Sequence, residues 1–416
     1  MLIQFSFKNF KSFKNDTLLD LTASPVKEHP YNLIQKENGD KYLKVLAIFG
    51  ANASGKSNVI EAFSFMRSFV VNSLSFGSDE DKHQKKTIPI KSFIIEDLHK
   101  KNPSEFEVFF NYKNIEYQYG FIVERDKILA EWLYSKTPKR KLFETLFERS
   151  ENKFKFGKNM SSAVKFQDSV EDKTLFLSLT AKTKINISKN VYNWFLEHFV
   201  VDFGDIEFEH HYSRAIPTEM IENEDYKKKL ENFLIAIDTG IVGLRFEKNG
   251  LKNDEQEESY HIYSKHLVNE NGDIKEISFS EESSGTQKMF SLFGFFYDAL
   301  QNGYTLFIDE LNAKLHPILV RYIINLFHDP VSNKNNAQLI FTTHDLYNLT
   351  RDIFRRDEIW FTEKDHLGIS KLFPLVEFKL EDDTKVRSDA TYNKDYVSGR
   401  YGAIPLLKEF NLLEGS

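Results

Sequence analysis

Residues 45–63, VLAIFGANASGKSNVIEAF, join an apolar run, a short turn bounded by glycines, and a lysine followed by a serine. The turn fits the pattern G-x-x-x-x-G-K-S, with Gly50, Gly55, Lys56 and Ser57 in the fixed places. Glycine at both ends lets the backbone N–H groups point at phosphate oxygens, and the helix that follows presents its positive end to the same anion. We therefore predict a phosphate-binding loop in which Lys56 contacts the β- and γ-phosphates and Ser57 binds Mg²⁺.

The pattern alone is weak, because roughly one chain in fifty of this length carries it by chance at ordinary glycine content. Its flanks strengthen it: Leu43–Phe49 reads as a buried parallel strand, and Val59, Ile60 and Phe63 recur at helical spacing. We expect the whole loop to bind nucleotide, through Gly50, Ala51, Asn52, Ala53, Ser54, Gly55, Lys56, Ser57 and Asn58.

The segment YTLFIDELNAKLHP carries two adjacent carboxylates directly after an apolar run. Leu306–Ile308 predicts a buried strand, so Asp309 and Glu310 stand at its carboxyl end, the edge where open α/β sheets bind ligands. Asp309 suits contact with Mg²⁺, and Glu310 suits the general base that polarises the attacking water. An Asp-Glu helix cap is the simpler interpretation in isolation, but it loses weight beside the phosphate loop.

Two further segments suit a nucleotide site. ESSGTQK precedes a helix predicted over residues 286–300, and Ser284, the Gly285 backbone and the helix N-terminus offer a second anion-binding feature. A single protomer does not need two anion-binding features for one nucleotide, but a face-to-face dimer does, because the second feature then closes over the partner's nucleotide. The alternative interpretation of ESSGTQK is a plain serine-capped helix. QLIFTTHD places His344 just past a buried strand, where it is positioned for the γ-phosphate, although a lone histidine is more often structural.

Composition limits the class of protein. The 416 residues suggest two or three packed units, and 55 basic against 62 acidic side chains give a net charge of −7. This charge disfavours a globally basic nucleic-acid-binding protein and leaves only a local basic patch open. The absence of cysteine excludes disulfides and Cys-based zinc sites. No signal-peptide pattern and no long apolar window occur, so we expect a cytoplasmic protein without membrane contact.

Hydrophobic periodicity divides the chain into parts. A period of two from residue 104 to about 158 predicts an antiparallel meander, and the polar stretch 71–90 predicts a loop. Helical spacing prevails over 159–258, interpreted as a mostly helical insertion, and NENGD then predicts a hairpin turn. Strand and helix patterns alternate afterwards, which indicates an α/β domain with a largely parallel sheet. The expected units are 1–158, 159–258 and 259–416.

The order of these motifs resembles that of ABC-type ATPase heads, with GANASGKS as Walker A, SSGTQ as signature, LFIDE as Walker B, LNAKLHP as D-loop and TTHD as His switch. KNFKSF resembles the opening of the SMC and double-strand-break-repair subgroup, which implies that Lys11 and Ser12 lie beside the nucleotide. More narrowly, DELNAKLHP and YNKDYVSGRYGAIP resemble phage-defence ATPases of the AbiL/RloA and PARIS AriA type, with OLD-associated ATPases as more distant kin. The resemblance covers about residues 1–130 and 260–405.

This resemblance implies an ABC-type P-loop ATPase head with an antiparallel β-meander and a mostly helical insertion. It implies a homodimer or higher oligomer that uses ATP and Mg²⁺. The implied catalytic groups are Lys56, Glu310 and His344, the implied metal ligands are Ser57 and Asp309, and the implied contacts from the partner protomer are Ser284 and Gly285.

The sequence departs from the family pattern at the signature and at the Q-loop. Ser283 and Thr286 stand where transporter signatures have Leu and a second Gly. No Q-loop can be placed, since Gln118 lies inside the predicted meander. About 70 of the 416 residues follow His344, too few for the nuclease domain of OLD proteins. We therefore expect any TOPRIM/RloB-like nuclease to be a separate polypeptide.

The expected function is an ATP-binding and ATP-hydrolysing dimeric switch that regulates a separate effector protein in antiviral defence by abortive infection. Two alternatives stay open. One is an SMC-like or repair-like ATPase acting on DNA, which the net charge disfavours, and the other is an ATP-binding scaffold with little turnover, which the altered signature allows. A transporter subunit is the least favoured class.

Overall fold

The computed structural model describes residues 1–77, 87–93, 102–202, 222–238, 240–248, 260–269, 271–379, 385–387 and 389–404. The strands are β1 Leu2–Lys8, β2 Thr17–Asp20, β3 Leu33–Gln35, β4 Lys41–Leu43, β5 Val45–Gly50, β6 Ser104–Tyr112, β7 Ile115–Val123, β8 Ile128–Lys136, β9 Glu144–Ser150, β10 Lys153–Phe156, β11 Phe199–Asp202, β12 Ile241–Lys248, β13 Tyr260–Leu267, β14 Ile274–Ser278, β15 Thr305–Asp309, β16 Gln338–Thr342, β17 Ile359–Lys364 and β18 Ser370–Pro374. The helices are α1 Lys56–Asn72, α2 Leu74–Gly77, α3 Phe176–Ala181, α4 Asn186–Glu197, α5 Glu224–Ile237, α6 Ser284–Asn302, α7 Pro317–His328 and α8 Tyr392–Val397, with 3₁₀ turns at Pro30–Asn32, Lys158–Ser169 and Phe279–Glu281.

The central sheet has the strand order β11-β15-β16-β5-β17-β18 among the described residues. Its neighbours are parallel except β18, which is antiparallel to β17. Strand β5 is buried along its whole length, as its unbroken apolar run predicts, and its side chains alternate between two cores. Leu46 and Ile48 lie in the core with α1, whereas Val45, Ala47 and Phe49 lie in the core with α6 and α7. The predicted α/β class is confirmed.

A second sheet is antiparallel throughout and has the order β10-β9-β8-β7-β6-β1-β2. Strands β6 to β10 are the predicted meander, which β1 and β2 extend. Helix α1 lies between the two sheets. The Phe63 ring packs edge-on against Phe5 of β1 at 5.4 Å and stacks on Phe307 of β15 at 4.0 Å, measured between ring centroids. Both sheets therefore hold the helix that begins at the phosphate loop.

Within its described residues the segment 159–258 is mostly helical, as predicted, but its first part packs against the head. Helices α3 and α4 pack in the same apolar core as α1, and β11 is the edge strand beside β15. Trp194 of α4 stacks on Phe110 of the meander at 4.0 Å, so the helical periodicity of this stretch reflects core packing. The contacts thus assign residues up to β11 to the head, and β12 pairs in a small sheet of order β12-β13-β14. Residues 203–221, 239 and 249–259 lie outside the described residues.

Two shorter predictions have different outcomes. The stretch 71–90, predicted to be a loop, begins with helix: α1 continues to Asn72 and α2 follows, because Phe69 and Phe76 pack together at 6.0 Å. Residues 78–86 lie outside the described residues. The hairpin at NENGD is confirmed by the antiparallel pairing of β13 with β14. Within the described ranges, no helix is long and apolar enough to cross a membrane.

Glu131 of β8 joins the meander to the helices that follow it. Its fully buried carboxylate accepts hydrogen bonds from the backbone N–H groups of Phe176 at 2.7 Å and Leu177 at 2.9 Å, and from the Tyr119 hydroxyl at 3.0 Å. The Arg149 guanidinium lies 3.7 Å away. Burial raises the pKa of Glu131, and Arg149 opposes that rise.

We expect Glu131→Ala to lower the free energy of unfolding by about 3–5 kcal/mol, because it leaves Arg149 buried without its carboxylate. Urea unfolding followed by tryptophan fluorescence measures the change. Asp16→Ala is the matched control, since its ion pair with Lys8 is exposed and such pairs contribute roughly 0–1 kcal/mol. Equal, small losses in both variants would contradict the role given to Glu131.

Candidate nucleotide-binding site

Side chains of strands β17 and β18 contact the predicted phosphate loop and constrain its shape. At Gly50, with φ of +154°, a Cβ atom would lie 2.5 Å from Thr362 Oγ1, so only glycine fits. At Gly55, with φ of +114°, a Cβ atom would lie 2.7 Å from Ser370 Oγ. The Ser54 hydroxyl is hydrogen-bonded to Thr362 Oγ1 at 2.6 Å. The loop therefore depends on side chains that lie more than three hundred residues away in the sequence.

The N-terminal segment reaches the same loop. Ser12 Oγ accepts a hydrogen bond from Asn58 Nδ2 at 2.7 Å and lies 2.8 Å from Ser370 Oγ. Lys11 is ion-paired with Glu61 of α1. The structure thus places Ser12 against the phosphate loop and pairs the Lys11 ammonium with a carboxylate of α1. The implied contact of both residues with nucleotide stays a prediction.

A C-terminal segment also supports the loop, and sequence reasoning missed this contact. The Ala403 carbonyl accepts hydrogen bonds from the Ala51 N–H at 3.1 Å and from the Tyr396 hydroxyl at 2.8 Å. The Tyr396 ring stacks on Phe361 of β17, with centroids 5.2 Å apart and planes 9° apart. Residues 392–404 of the segment YNKDYVSGRYGAIP therefore pack beside the phosphate loop, a position that the family resemblance alone did not reveal.

Lys56 lies at the centre of the loop. Its ammonium donates to the carbonyls of Gly50 and Ala51, each at 2.9 Å, and the residue is buried. Burial lowers the pKa of Lys56 to about 8, while the carboxylates of Asp309 and Glu310 oppose that shift. Burial therefore favours the neutral amine of Lys56, and the two carboxylates favour its charged form.

Asp309 and Glu310 stand where β15 ends, and Thr342 of the neighbouring β16 contacts both. The Thr342 hydroxyl donates to Asp309 Oδ1 and accepts a hydrogen bond from the Glu310 N–H at 2.8 Å. Glu310 adopts a φ of +50°, the left-handed region that non-glycine residues seldom occupy. The strand order β15-β16-β5 brings both carboxylates to the sheet edge that carries the phosphate loop.

His344 belongs to the same edge. The backbone N–H of His344 donates to Asn312 Oδ1 at 3.1 Å, and the residue is exposed. Partial desolvation lowers the pKa of His344, the Lys56 ammonium lowers it further, and the carboxylates of Glu310 and Asp309 raise it. Three predicted site residues, Lys56, Asp309 and Glu310, are therefore close enough to His344 to act on its charge.

The signature helix α6 begins at Ser284, two residues before the predicted start. The reason is a side-chain cap, in which Ser283 Oγ accepts a hydrogen bond from the Thr286 N–H at 3.1 Å. Gly285 lies in the first turn, where a Cβ atom would come within 3.2 Å of the Lys314 carbonyl. The first turn of α6 thus packs against the D-loop of its own chain.

Lys288 was not predicted from the sequence, and it connects the same two motifs. The buried ammonium of this α6 residue donates to the carbonyl oxygens of Glu310 at 3.3 Å, Leu311 at 3.2 Å and Ala313 at 2.7 Å. These bonds hold the turn that follows Glu310. Apart from the proximity of Lys288 to the signature, no sequence pattern pointed to this role.

Ser57 and Asp309 fit a magnesium ion by their chemistry. Hydroxyl and carboxylate oxygens are ligands for this hard cation, which is usually held by one or two carboxylates together with substrate phosphates. No group of three His, Asp or Glu side chains within the described ranges forms a metal site by itself.

Residues 45–350 match the family model described as "AAA domain, putative AbiEii toxin, Type IV TA system". The match covers most of the chain, including the phosphate loop, the signature, the Asp309–Glu310 pair and His344, and the chain belongs to this family. A search of curated protein sequences gives no match.

Two similar solved structures are SMC heads. A crystal structure of an SMC head bound to the C-winged helix domain of ScpA is 15% identical, with a TM-score of 0.41, and the alignment covers 92% of this chain and 99% of that chain. The SMC head domain from Thermotoga maritima is 14% identical, with a TM-score of 0.40, and covers 90% and 98%.

We expect nucleotide affinity to fall as pH rises above about 8. Below that value Lys56 is already protonated, whereas above it binding must take up a proton, because the triphosphate favours the charged form. The expected loss approaches tenfold per pH unit for one linked proton. Isothermal titration at pH 7, 8 and 9, in buffers of different ionisation enthalpy, measures both affinity and proton uptake.

Lys56→Met is the control for this titration. The variant should bind nucleotide weakly, and its affinity should not change over the same pH range. A wild-type affinity that is constant from pH 7 to 9 would contradict the assignment of Lys56.

Proposed function

We propose that this protein is an ABC-type ATPase that binds ATP with Mg²⁺ and hydrolyses it as a homodimer. The observation that carries the proposal is the convergence of Lys56, Asp309, Glu310 and His344 at one sheet edge, where the two carboxylates raise the pKa values of Lys56 and His344 against the effect of burial. A phosphate loop with a neighbouring carboxylate pair supplies both the positioning and the charge that phosphoryl transfer requires.

Each side chain has a distinct role in this proposal. The Lys56 ammonium leaves the carbonyls of Gly50 and Ala51 and contacts the phosphates. Ser57 and Asp309 would hold Mg²⁺, which neutralises charge on the phosphate oxygens. Asp309 already has one oxygen oriented by the Thr342 hydroxyl, so the other oxygen is available to the cation.

Glu310 and His344 act on the reacting groups. The left-handed backbone of Glu310 is fixed by its N–H bond to Thr342, and its carboxylate accepts a proton from the attacking water. The lowered pKa of His344 keeps its ring neutral at pH 7, so it contacts the γ-phosphate through one ring N–H. Ser284 and Gly285, at the N-terminus of α6, contact the nucleotide held by the partner protomer.

The biological role that we propose is a switch that regulates a separate effector protein in antiviral defence by abortive infection. The description of the family as a putative AbiEii toxin in a type IV toxin–antitoxin system supports a role in this area. The narrower resemblance to AbiL/RloA and AriA supports regulation of a partner. The net charge of −7 weighs against the alternative of a DNA-dependent ATPase.

The first test compares wild type, Lys56→Ala and Glu310→Gln. We expect Glu310→Gln to lose turnover by about 10²–10⁴-fold, the usual contribution of general-base catalysis. The same variant should accumulate as a dimer with Mg²⁺-ATP, because closure no longer ends in hydrolysis. Lys56→Ala should show neither turnover nor nucleotide-dependent dimerisation. Phosphate release and light scattering measure the two properties.

Glu37→Gln, an exposed carboxylate in the β3–β4 turn, is the matched control and should behave as wild type. Turnover in Lys56→Ala equal to that of wild type would refute the ATPase assignment. A mass that is unaffected by nucleotide in every variant would favour the scaffold alternative, and strong stimulation by DNA would favour the repair-like one.

A further inference from the structure

The signature is contacted from one side by the end of helix α5. Asp238 follows α5, and its Oδ2 accepts a hydrogen bond from the Thr286 hydroxyl at 2.8 Å. Its Oδ1 accepts a bond from the Gly240 N–H at 3.0 Å, which holds the carboxylate in place. Thr286 is 6% exposed, so its hydroxyl is bonded inside the protein.

Strand β13 contacts the signature from the other side. Glu282 directly precedes Ser283, and its Oε1 accepts a hydrogen bond from Ser264 Oγ and lies 2.6 Å from His266 Nε2. His266 is also next to Gly240, since a Cβ atom there would lie 3.3 Å from His266 Nδ1. Two polar contacts, at Glu282 and at Thr286, therefore flank the Ser283–Gly285 turn.

Apolar packing joins α5 to α6 beneath these contacts. The Phe293 ring of α6 lies 5.2 Å from Tyr226 and 5.1 Å from Phe233 of α5. Leu230 and Leu234 belong to the same cluster of buried residues. Because close-packed side chains transmit displacement, we expect α5 and α6 to act as one packed unit, with the polar contacts orienting the first turn of α6.

The hydroxyl groups form an ordered relay. Thr286 Oγ1 donates its proton to Asp238. In its 2.8 Å contact with Ser283 Oγ, Thr286 Oγ1 is therefore the acceptor and Ser283 Oγ is the donor. Ser283 Oγ then accepts from the Thr286 N–H and caps the helix. Asp238 thus determines the direction of both hydroxyls beside Ser284. Glycine, which transporter signatures have at the position of Thr286, offers no hydroxyl for this relay.

We propose that Asp238 is a positioning residue for ATP turnover, acting through Thr286 and Ser283 on the turn that closes over the partner's nucleotide. The inference rests on the proposed ATPase function. Since Asp238 lies where α5 leads toward β12, displacement of this part of the chain by a bound partner would reach the first turn of α6 through the Asp238–Thr286 hydrogen bond. Thr286 is the receiving group on α6.

The test is a pair of substitutions at Thr286. Thr286→Val removes the hydroxyl at nearly constant volume, and Thr286→Ser keeps it. We expect Thr286→Val to lower kcat about 10-fold or more, as loss of a hydrogen bond to a charged group does. We expect its affinity for ATP in the monomer to stay within about twofold of wild type, because that affinity depends on the phosphate loop in the same chain. Thr286→Ser should restore kcat.

Dimerisation separates a positioning role from a merely structural one. In the Glu310→Gln background, Thr286→Val should require a higher protein concentration for the ATP-dependent dimer, whereas Thr286→Ser should not. Asp238→Asn provides a second route to the same result and is read by the same assays if Thr286→Val folds poorly. Loss of monomer ATP affinity in parallel with kcat would indicate a structural role and overturn the proposal.

Failure of this inference is distinguishable from failure of the proposed function. Wild-type turnover with an unaltered kcat in both Thr286→Val and Asp238→Asn would overturn the role of Asp238 and leave the ATPase intact. Absence of turnover and of nucleotide-dependent dimerisation in wild type would overturn both.

Discussion

The packing of helix α1 between two sheets is the constraint on which the site depends. Phe63 contacts β1 of the antiparallel sheet and β15 of the central sheet, so the helix cannot turn without disturbing both. The N-terminus of α1 is also the anion-binding end of the phosphate loop. A single aromatic side chain thereby ties the direction of that helix to the strand that carries Asp309. The high phenylalanine content serves this packing directly.

With α1 fixed, the electrostatics of the sheet edge follow. The Lys56 ammonium is buried, which is costly unless carbonyls and carboxylates surround it. Two carbonyls of the loop and the charges of Asp309 and Glu310 provide those surroundings. The same carboxylates act on His344. The carboxylates at this edge therefore act on the protonation of both Lys56 and His344.

The sequence predicted those parts of the arrangement that depend on local residue patterns. The phosphate loop, the strands around it and the meander follow from glycine spacing and from apolar periodicity. The supporting contacts do not, because Thr362, Ser370 and Ala403 meet the loop only through tertiary packing. Helix α4 shows the opposite error: its periodicity was correctly helical, yet Trp194 packs in the head and not in an insertion. A periodic pattern reveals which face is buried but not what buries it.

The phosphate loop and the signature have one feature in common: a segment distant in the sequence contacts each of them. The Ala403 carbonyl contacts Ala51 of the phosphate loop, and the Asp238 carboxylate contacts Thr286 of the signature. A segment that contacts such a motif can alter its geometry. On the proposed function, contacts of this kind would couple binding of a partner to ATP turnover, because both would bias the same few backbone turns.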